Sequence, residues 1–145
     1  MTPLPASARF LGYSGLIPFV LLGLLAWMGP VQTRPWALQA LAAYGAVIVS
    51  FLGGIHWGLG FLLERQNSFH FAWGVLPSLL AWAALLLPAA AGLALLAGAL
   101  ALCYAVDRRA YARSGVPHWL ALRLHLSSVA AVCCLVGAAA VFSRS

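Results

Sequence analysis

Residues 36–63 read WALQALAAYGAVIVSFLGGIHWGLGFLL, and this stretch decides the fold class. It contains no Asp, Glu, Lys or Arg, and its one histidine is His56. A helix that crosses a bilayer needs about 20 predominantly apolar residues, and in lipid its backbone N–H and C=O groups must bond within the segment. A strand of a membrane barrel would alternate apolar and polar residues, which this stretch does not do. It therefore predicts a transmembrane α-helix.

Further apolar runs of the same character lie on both sides of this stretch. Of the 145 residues, 64% are hydrophobic and 7% are charged, whereas a soluble domain carries about 25% charged residues. We therefore predict an all-α membrane protein, with residues 1–145 forming a single integral membrane domain folded as a bundle of about five transmembrane helices. The predicted spans are residues 10–29, 36–63, 69–87, 90–106 and 119–142.

The arginines are divided unequally between the two ends of this predicted bundle. An excess of Arg in short loops marks the cytosolic side of a membrane. We therefore predict a multi-pass protein of the bacterial inner membrane, with its N-terminus in the cytosol and its C-terminus in the periplasm. The N-terminal side carries Arg9, Arg65, Arg108, Arg109, Arg113 and Arg123, and the other side carries Arg34 and Arg144.

The net charge of +6 suggests nucleic-acid binding at first sight. The arginines, however, stand at the ends of apolar segments and form no patch with interleaved polar residues. We therefore predict no nucleic-acid partner. The predicted partner is the lipid bilayer.

A row of small residues follows the second span at a spacing of four. Such rows let two helix backbones approach closely. The row predicts close helix packing, within the fold in preference to a dimer seam. Its members are Ala42, Ala46, Ser50, Gly54 and Gly58.

Two prolines lie inside predicted spans. Pro18 is in the first span and Pro77 is in the third. A proline inside a helix removes a hydrogen bond and collides with the preceding turn. Each is therefore expected to kink its helix.

Buried ionisable groups are costly in a membrane, so they are the candidate functional residues. We predict a polar cluster at the cytosolic face, in which Arg123 pairs with Glu64 or Asp107 and His56 lies just beneath them. The alternative is that Arg123 meets lipid phosphate while the two acids bond arginines next to them in sequence. The candidate cluster comprises His56, Glu64, Asp107, Arg123 and His125.

The outer half of the predicted bundle contains no titratable carboxylate, His or Arg within a span. Because an ion pathway needs polar groups across the whole membrane, this disfavours a transporter. No nucleophile elbow, His-rich box or Cys/His metal spacing occurs. We therefore predict no catalytic residues, no metal and no cofactor. Axial ligation of a haem by His56 and His125 is an alternative that two histidines support only weakly.

Three segments resemble the uncharacterised transmembrane protein 69-like family (domain of unknown function 3429). They are LGYSGLIPF at 11–19, YGAVIVSFLGGIHWG at 44–58 and LPSLLAW at 76–82. The resemblance implies a multi-helix protein of bacterial or mitochondrial inner membranes, and it implies no activity.

Two function hypotheses follow from these observations. The first is a non-enzymatic accessory or assembly factor of a membrane complex, whose partner is another membrane protein. The alternative is a binder or carrier of a small molecule, such as a lipid, quinone or haem, with a polar pocket that faces the cytosol.

Overall fold

The computed structural model describes residues 3–63 and 68–143, and all regular structure in these ranges is helical. Short 3-10 turns at Val31–Thr33 and Pro117–Trp119 precede the third and the last helix. The helices are α1 (Ala6–Ser14), α2 (Ile17–Met28), α3 (Arg34–Leu62), α4 (Ser68–Leu86), α5 (Ala89–Arg113) and α6 (Leu120–Ala140).

These helices form five segments that are long and apolar enough to cross a membrane, because α1 and α2 together make the first. The predicted number of spans is confirmed. Large apolar side chains are exposed on the outside of the bundle, among them Phe10, Leu62, Trp82 and Phe142. Such a surface is suited to lipid and not to water. The protein is a multi-pass membrane protein whose helices contact the bilayer.

The fourth span differs from its prediction at one end. The sequence suggested an end at residue 106, before the charged triplet that begins with Asp107, but α5 runs on to Arg113. The bundle of helices buries Asp107, which is 1% exposed. This longer helix is what carries a carboxylate into the interior.

The two prolines have different outcomes. The first span is interrupted between Ser14 and Ile17, and Pro18 then lies in the first turn of α2, where a missing N–H costs no helical hydrogen bond. The Tyr44 hydroxyl on α3 donates to the carbonyl of Gly15 at 2.8 Å. By contrast, α4 continues through Pro77. The kink expected in the first span is therefore a break between two helices, whereas the helix at Pro77 is unbroken.

The predicted row of small residues does not follow one face of α3 against its neighbours. Ala42 and Ala46 are buried, and the Ser50 hydroxyl lies 2.7 Å from that of Ser78 on α4. Gly54 and Gly58 are exposed, and a Cβ added to either would meet nothing within 4 Å. Four residues turn a helix by about 400°, so a row at this spacing drifts by about 40° at each step. The row therefore winds from the interface to the outside of the bundle.

Helices α3 and α4 approach each other closely at Gly53. A Cβ at this position would collide with the carbonyl oxygen of Gly74, and a Cβ at Gly74 would collide with the indole of Trp57. Only glycine allows this backbone contact. It fixes α4 against α3 close to His56.

Candidate functional site

An ion pair between α5 and α6 lies at the centre of the site. Arg123 Nε donates to Asp107 Oδ2 at 3.0 Å, and Arg123 Nη2 donates to the same oxygen at 2.5 Å. Arg123 Nη1 donates to the Ser127 hydroxyl one turn along α6, at 3.2 Å. Asp107 is 1% exposed and Arg123 is 7% exposed. Because a buried charge without a partner is strongly destabilising, each residue holds the other in place.

His56 of α3 extends this pair towards α4. Its Nε2 lies 2.8 Å from the second carboxylate oxygen, Asp107 Oδ1. A carboxylate accepts, so this nitrogen donates and carries a proton. The other nitrogen, Nδ1, lies 3.2 Å from Nδ1 of His70. One of these two nitrogens carries the proton of this hydrogen bond and the other accepts it, because a hydrogen bond needs a donor on one side.

The result is a continuous line of hydrogen bonds through four helices. We call the residues His70, His56, Asp107, Arg123 and Ser127 the polar chain. Aromatic rings pack around its histidines: the centroids of Phe69, Trp73 and Tyr111 each lie 6.4 Å from that of His56. Among these rings His56 is 1% exposed, and hydrogen bonds between charged and polar groups are stronger in such surroundings.

The predicted cluster residues do not all meet. The structure brings together His56, Asp107 and Arg123. His125 is exposed on the outside of α6, where its Nδ1 is 3.1 Å from the Tyr13 hydroxyl. Glu64 lies outside the described residues. Both ring nitrogens of His56 are engaged, and His125 is on another face, so the two histidines are not arranged to hold a haem between them.

Two members of the polar chain are absent from the predicted cluster. Ser127 follows Arg123 by four residues, and this spacing places two side chains on one helix face. That signal was available in the sequence. His70 had no comparable signal, because its contact with His56 depends on how α4 is placed against α3.

An apolar cavity of about 520 Å³ lies on one side of the polar chain. It is bordered by the break between α1 and α2 and by α3, α5 and α6. Three polar side chains contribute to its otherwise largely apolar wall, namely those of Arg123, Ser127 and Tyr111. Its volume is typical of small-molecule sites. The apolar lining includes Leu11, Gly15, Leu16, Phe19, Ile48, Ile55, Leu59, Trp119 and Leu126.

A second cavity, which we call the basic cleft, lies on the other side of the polar chain and has a volume of about 810 Å³. It opens between the end of α3, the start of α4 and the C-terminal half of α5. Its polar lining is His70, Arg108, Arg109, Arg113 and Ser114. The polar chain thus begins at this cleft with His70 and ends at the apolar cavity with Arg123 and Ser127.

The sequence profile of a protein family of unknown function, DUF3429, matches residues 4–139. The chain belongs to this family. The family predicted from the three sequence segments is therefore confirmed. Transmembrane protein 69 of Xenopus tropicalis is 41% identical over 87 residues, which cover 57% of this chain and 33% of that relative. The matched region thus spans about a third of the relative's length. No solved structure matches.

The geometry of this DUF3429 protein defines what the site can do chemically. A guanidinium group has five N–H donors, and the bonds to Asp107 and Ser127 account for one on each of its three nitrogens. One further N–H remains on Nη1 and one on Nη2, and the Tyr111 hydroxyl, which hydrogen-bonds the Arg123 side chain, engages at most one of them. Asp107 already balances the positive charge. The wall of the apolar cavity can therefore donate hydrogen bonds to a molecule that carries no charge.

Proposed function

We propose that this protein binds a small, uncharged amphipathic molecule in the apolar cavity. The observation that carries the proposal is the cavity itself, about 520 Å³ of apolar space with Arg123, Ser127 and Tyr111 in its wall. Ligand sites commonly combine an apolar lining with a few polar groups that fix orientation. Arg123 and Ser127 would orient the polar end of the molecule, and the apolar wall would cover its tail.

The charge of the polar chain supports a neutral ligand. Arg123 is paired with Asp107, so an anionic head group would compete with that carboxylate and leave it with a poorer partner. A carbonyl oxygen accepts hydrogen bonds without disturbing the ion pair. The class of ligand is therefore a lipid with a carbonyl-bearing head, for which an isoprenoid quinone or a neutral acylglycerol has suitable chemistry.

The accessory-factor hypothesis stays a prediction. The apolar cavity and its donors favour the small-molecule binder over it. A protein partner would bind the outer surface of the bundle. Binding of the proposed ligand in the apolar cavity does not require such a partner.

The proposal includes a location in the bacterial inner membrane, with the N-terminus in the cytosol and the C-terminus in the periplasm. Among the described residues, five arginines lie at the end of the bundle that includes the N-terminus, and Arg34 lies at the opposite end. The positive-inside rule places the arginine-rich end in the cytosol. The polar part of the apolar cavity wall would then lie towards the cytosol, because Arg123 and Asp107 lie at that end of the bundle.

Reporter fusions test this orientation. A reporter active only in the periplasm should be active when it is fused after Ser145 and silent when it is inserted between Arg108 and Arg113. The reverse pattern would overturn the orientation.

The ligand is tested by binding to purified protein in nanodiscs. The probes are decylubiquinone, which is neutral, and dodecanoate, which is anionic. Decylubiquinone should quench tryptophan fluorescence saturably, and dodecanoate should not compete with it. Absence of saturable quinone binding, or stronger binding of dodecanoate, would contradict the proposal.

A matched pair of variants locates the binding. Ile48 lines the cavity, whereas its neighbour Val47 is 64% exposed on the outside of α3. Ile48→Trp should fill the cavity and weaken decylubiquinone binding by about tenfold or more, the cost of about 1.4 kcal/mol of lost contact. Val47→Trp should bind as the unmodified protein does. Equal binding by both variants, each with an unchanged thermal transition, would place the quinone elsewhere.

A further inference from the structure

The basic cleft carries more positive charge than the sequence can neutralise. The sequence contains two acidic residues, Glu64 and Asp107, and Asp107 is already bonded by Arg123 and His56. One carboxylate side chain cannot balance the three arginines that line the cleft, Arg108, Arg109 and Arg113. The cleft therefore attracts an anion from outside the chain.

The wall of the cleft changes character along α5. Leu102, Val106, Arg109 and Arg113 follow one another at spacings of four, three and four, so they share one helix face. This face spans about 16 Å along the helix and passes from apolar to basic side chains. Leu102 is 43% exposed, at the part of the cleft furthest into the membrane. This face matches the polarity of a phospholipid: its basic end suits the phosphate, and its apolar end suits the acyl chains.

We propose that the basic cleft binds an anionic phospholipid. Arg109 and Arg113 contact its phosphate, Arg108 contributes further positive charge at the rim, and the acyl chains lie along Leu102 and Val106. Basic pockets between membrane helices are suited to such head groups, and guanidinium groups bond phosphate oxygens with two parallel N–H donors. A free phosphate would use the arginines alone and leave the apolar part of the cleft uncovered.

His70 gives this site a link to the rest of the molecule. Its Nδ1 bonds His56, and its ring lines the cleft, so Nε2 points away from the polar chain. That nitrogen can donate a hydrogen bond to a phosphate in the cleft when the histidine pair carries one additional proton, because a neutral His56 that donates to Asp107 accepts at Nδ1 from His70. This lipid site is separate from the apolar cavity and does not depend on the function proposed for it.

The experiment is native mass spectrometry of the full chain after purification with defined lipids. The probes are phosphatidylglycerol, phosphatidylcholine with matched acyl chains, and inorganic phosphate. Phosphatidylglycerol should remain bound in preference to phosphatidylcholine by about 25-fold, since Arg109 and Arg113 each contribute about a factor of five. Equal retention of the two lipids would overturn the proposal. Displacement of phosphatidylglycerol by millimolar inorganic phosphate would show a free-anion site and would also overturn it.

Matched arginine variants locate the lipid. Arg109→Gln and Arg113→Gln should each reduce bound phosphatidylglycerol by about fivefold. Arg9→Gln is the control, because Arg9 is exposed at the same end of the bundle but does not line the cleft. A loss of similar size in Arg9→Gln would show general surface attraction in place of a site. If a single Gln variant fails to fold, Arg113→Lys takes its place, because lysine keeps the charge but not the two parallel donors. This variant should fold and should bind the lipid less tightly than the unmodified protein. Unchanged binding by that variant would contradict the phosphate contact.

Discussion

Two buried arginines, each near the start of a helix, differ in the hydrogen-bond partners that the neighbouring helices offer them. Arg34 begins α3 at one end of the bundle and Arg123 lies in the first turn of α6 at the other, and they are 8% and 7% exposed. Arg34 Nε donates to the carbonyl of Ala26 at 3.0 Å, and its Nη2 is buried with no hydrogen-bond partner among the described residues. Arg123 donates to the Asp107 carboxylate and to the Ser127 hydroxyl, and Asp107 in turn accepts a hydrogen bond from His56. The arginines have similar burial but very different surroundings.

This difference has a physical consequence. Arg34 places its positive charge against the C-terminal end of α2, where the helix dipole is negative and the last carbonyls lack helical partners. That contact joins two consecutive helices. Arg123 belongs to a charge-balanced chain that reaches two cavities. A change at Arg34 should therefore have a small, local effect, whereas removing the carboxylate that balances Arg123 should affect four helices.

The largest expected effect is that of Asp107→Asn. The substitution keeps the shape of the side chain but leaves Arg123 buried without a counter-charge, which costs about 3–5 kcal/mol of unfolding free energy. Denaturant titration in mixed micelles measures this loss. A loss under about 1 kcal/mol would show that the pair is solvated in the membrane and would remove the contrast with Arg34.

A double-mutant cycle serves as the control for that result. Asp107→Asn combined with Arg123→Met should cost less than the two single changes added together, because the pair of substitutions leaves no buried charge unpaired. Strict additivity would mean that the two side chains do not interact.

The fold could be predicted from the sequence because apolarity is a local property that each span carries by itself. The C-terminal end of α5 could not, because Asp107, Arg108 and Arg109 look like a loop when their partners are unknown. The sequence named Asp107 as one of two candidate partners of Arg123, but no local pattern reports that the pair is buried inside the bundle. Likewise, spacing identifies the glycine-rich face of α3 only to within one residue, so it selected Gly54 where the structure packs Gly53.

The next effect in size concerns the middle of the polar chain. His56→Leu should lower the unfolding free energy by about 2 kcal/mol, because Asp107 Oδ1 and His70 Nδ1 each lose their partner inside the bundle. His125→Leu is the matched control, since this exposed ring bonds only the Tyr13 hydroxyl among the described residues, and we expect a change within about 0.5 kcal/mol. Equal losses in the same micelle titration would argue against a special role of the buried chain.

Arg34→Met tests the other side of the comparison. Methionine keeps much of the apolar stem of arginine while it removes the bond to Ala26 and also the buried Nη2 without a partner. The two changes oppose one another, so the expected loss is about 1 kcal/mol, well below that of Asp107→Asn. A loss as large as that of Asp107→Asn would mean that burial alone, and not the network, sets the cost of altering these arginines.

The smallest effect is expected from Ser127→Ala, and it separates stability from binding. Arg123 loses the hydroxyl that accepts from Nη1 but keeps both bonds to Asp107, so the unfolding free energy should fall by about 0.5–1 kcal/mol. Ser128→Ala is the matched control, because the neighbouring serine is exposed on the outside of α6, and its change should be within measurement error. Ser127 also lines the apolar cavity. If its hydroxyl mainly orients a bound molecule, Ser127→Ala will weaken decylubiquinone binding more than it lowers stability, and Ser128→Ala will do neither. If its hydroxyl only holds Arg123 in place, the quinone affinity will be unchanged although the protein unfolds more easily. A ligand-orienting role for Ser127 would then be wrong, and Arg123 and Tyr111 would be the remaining polar contacts in the cavity wall.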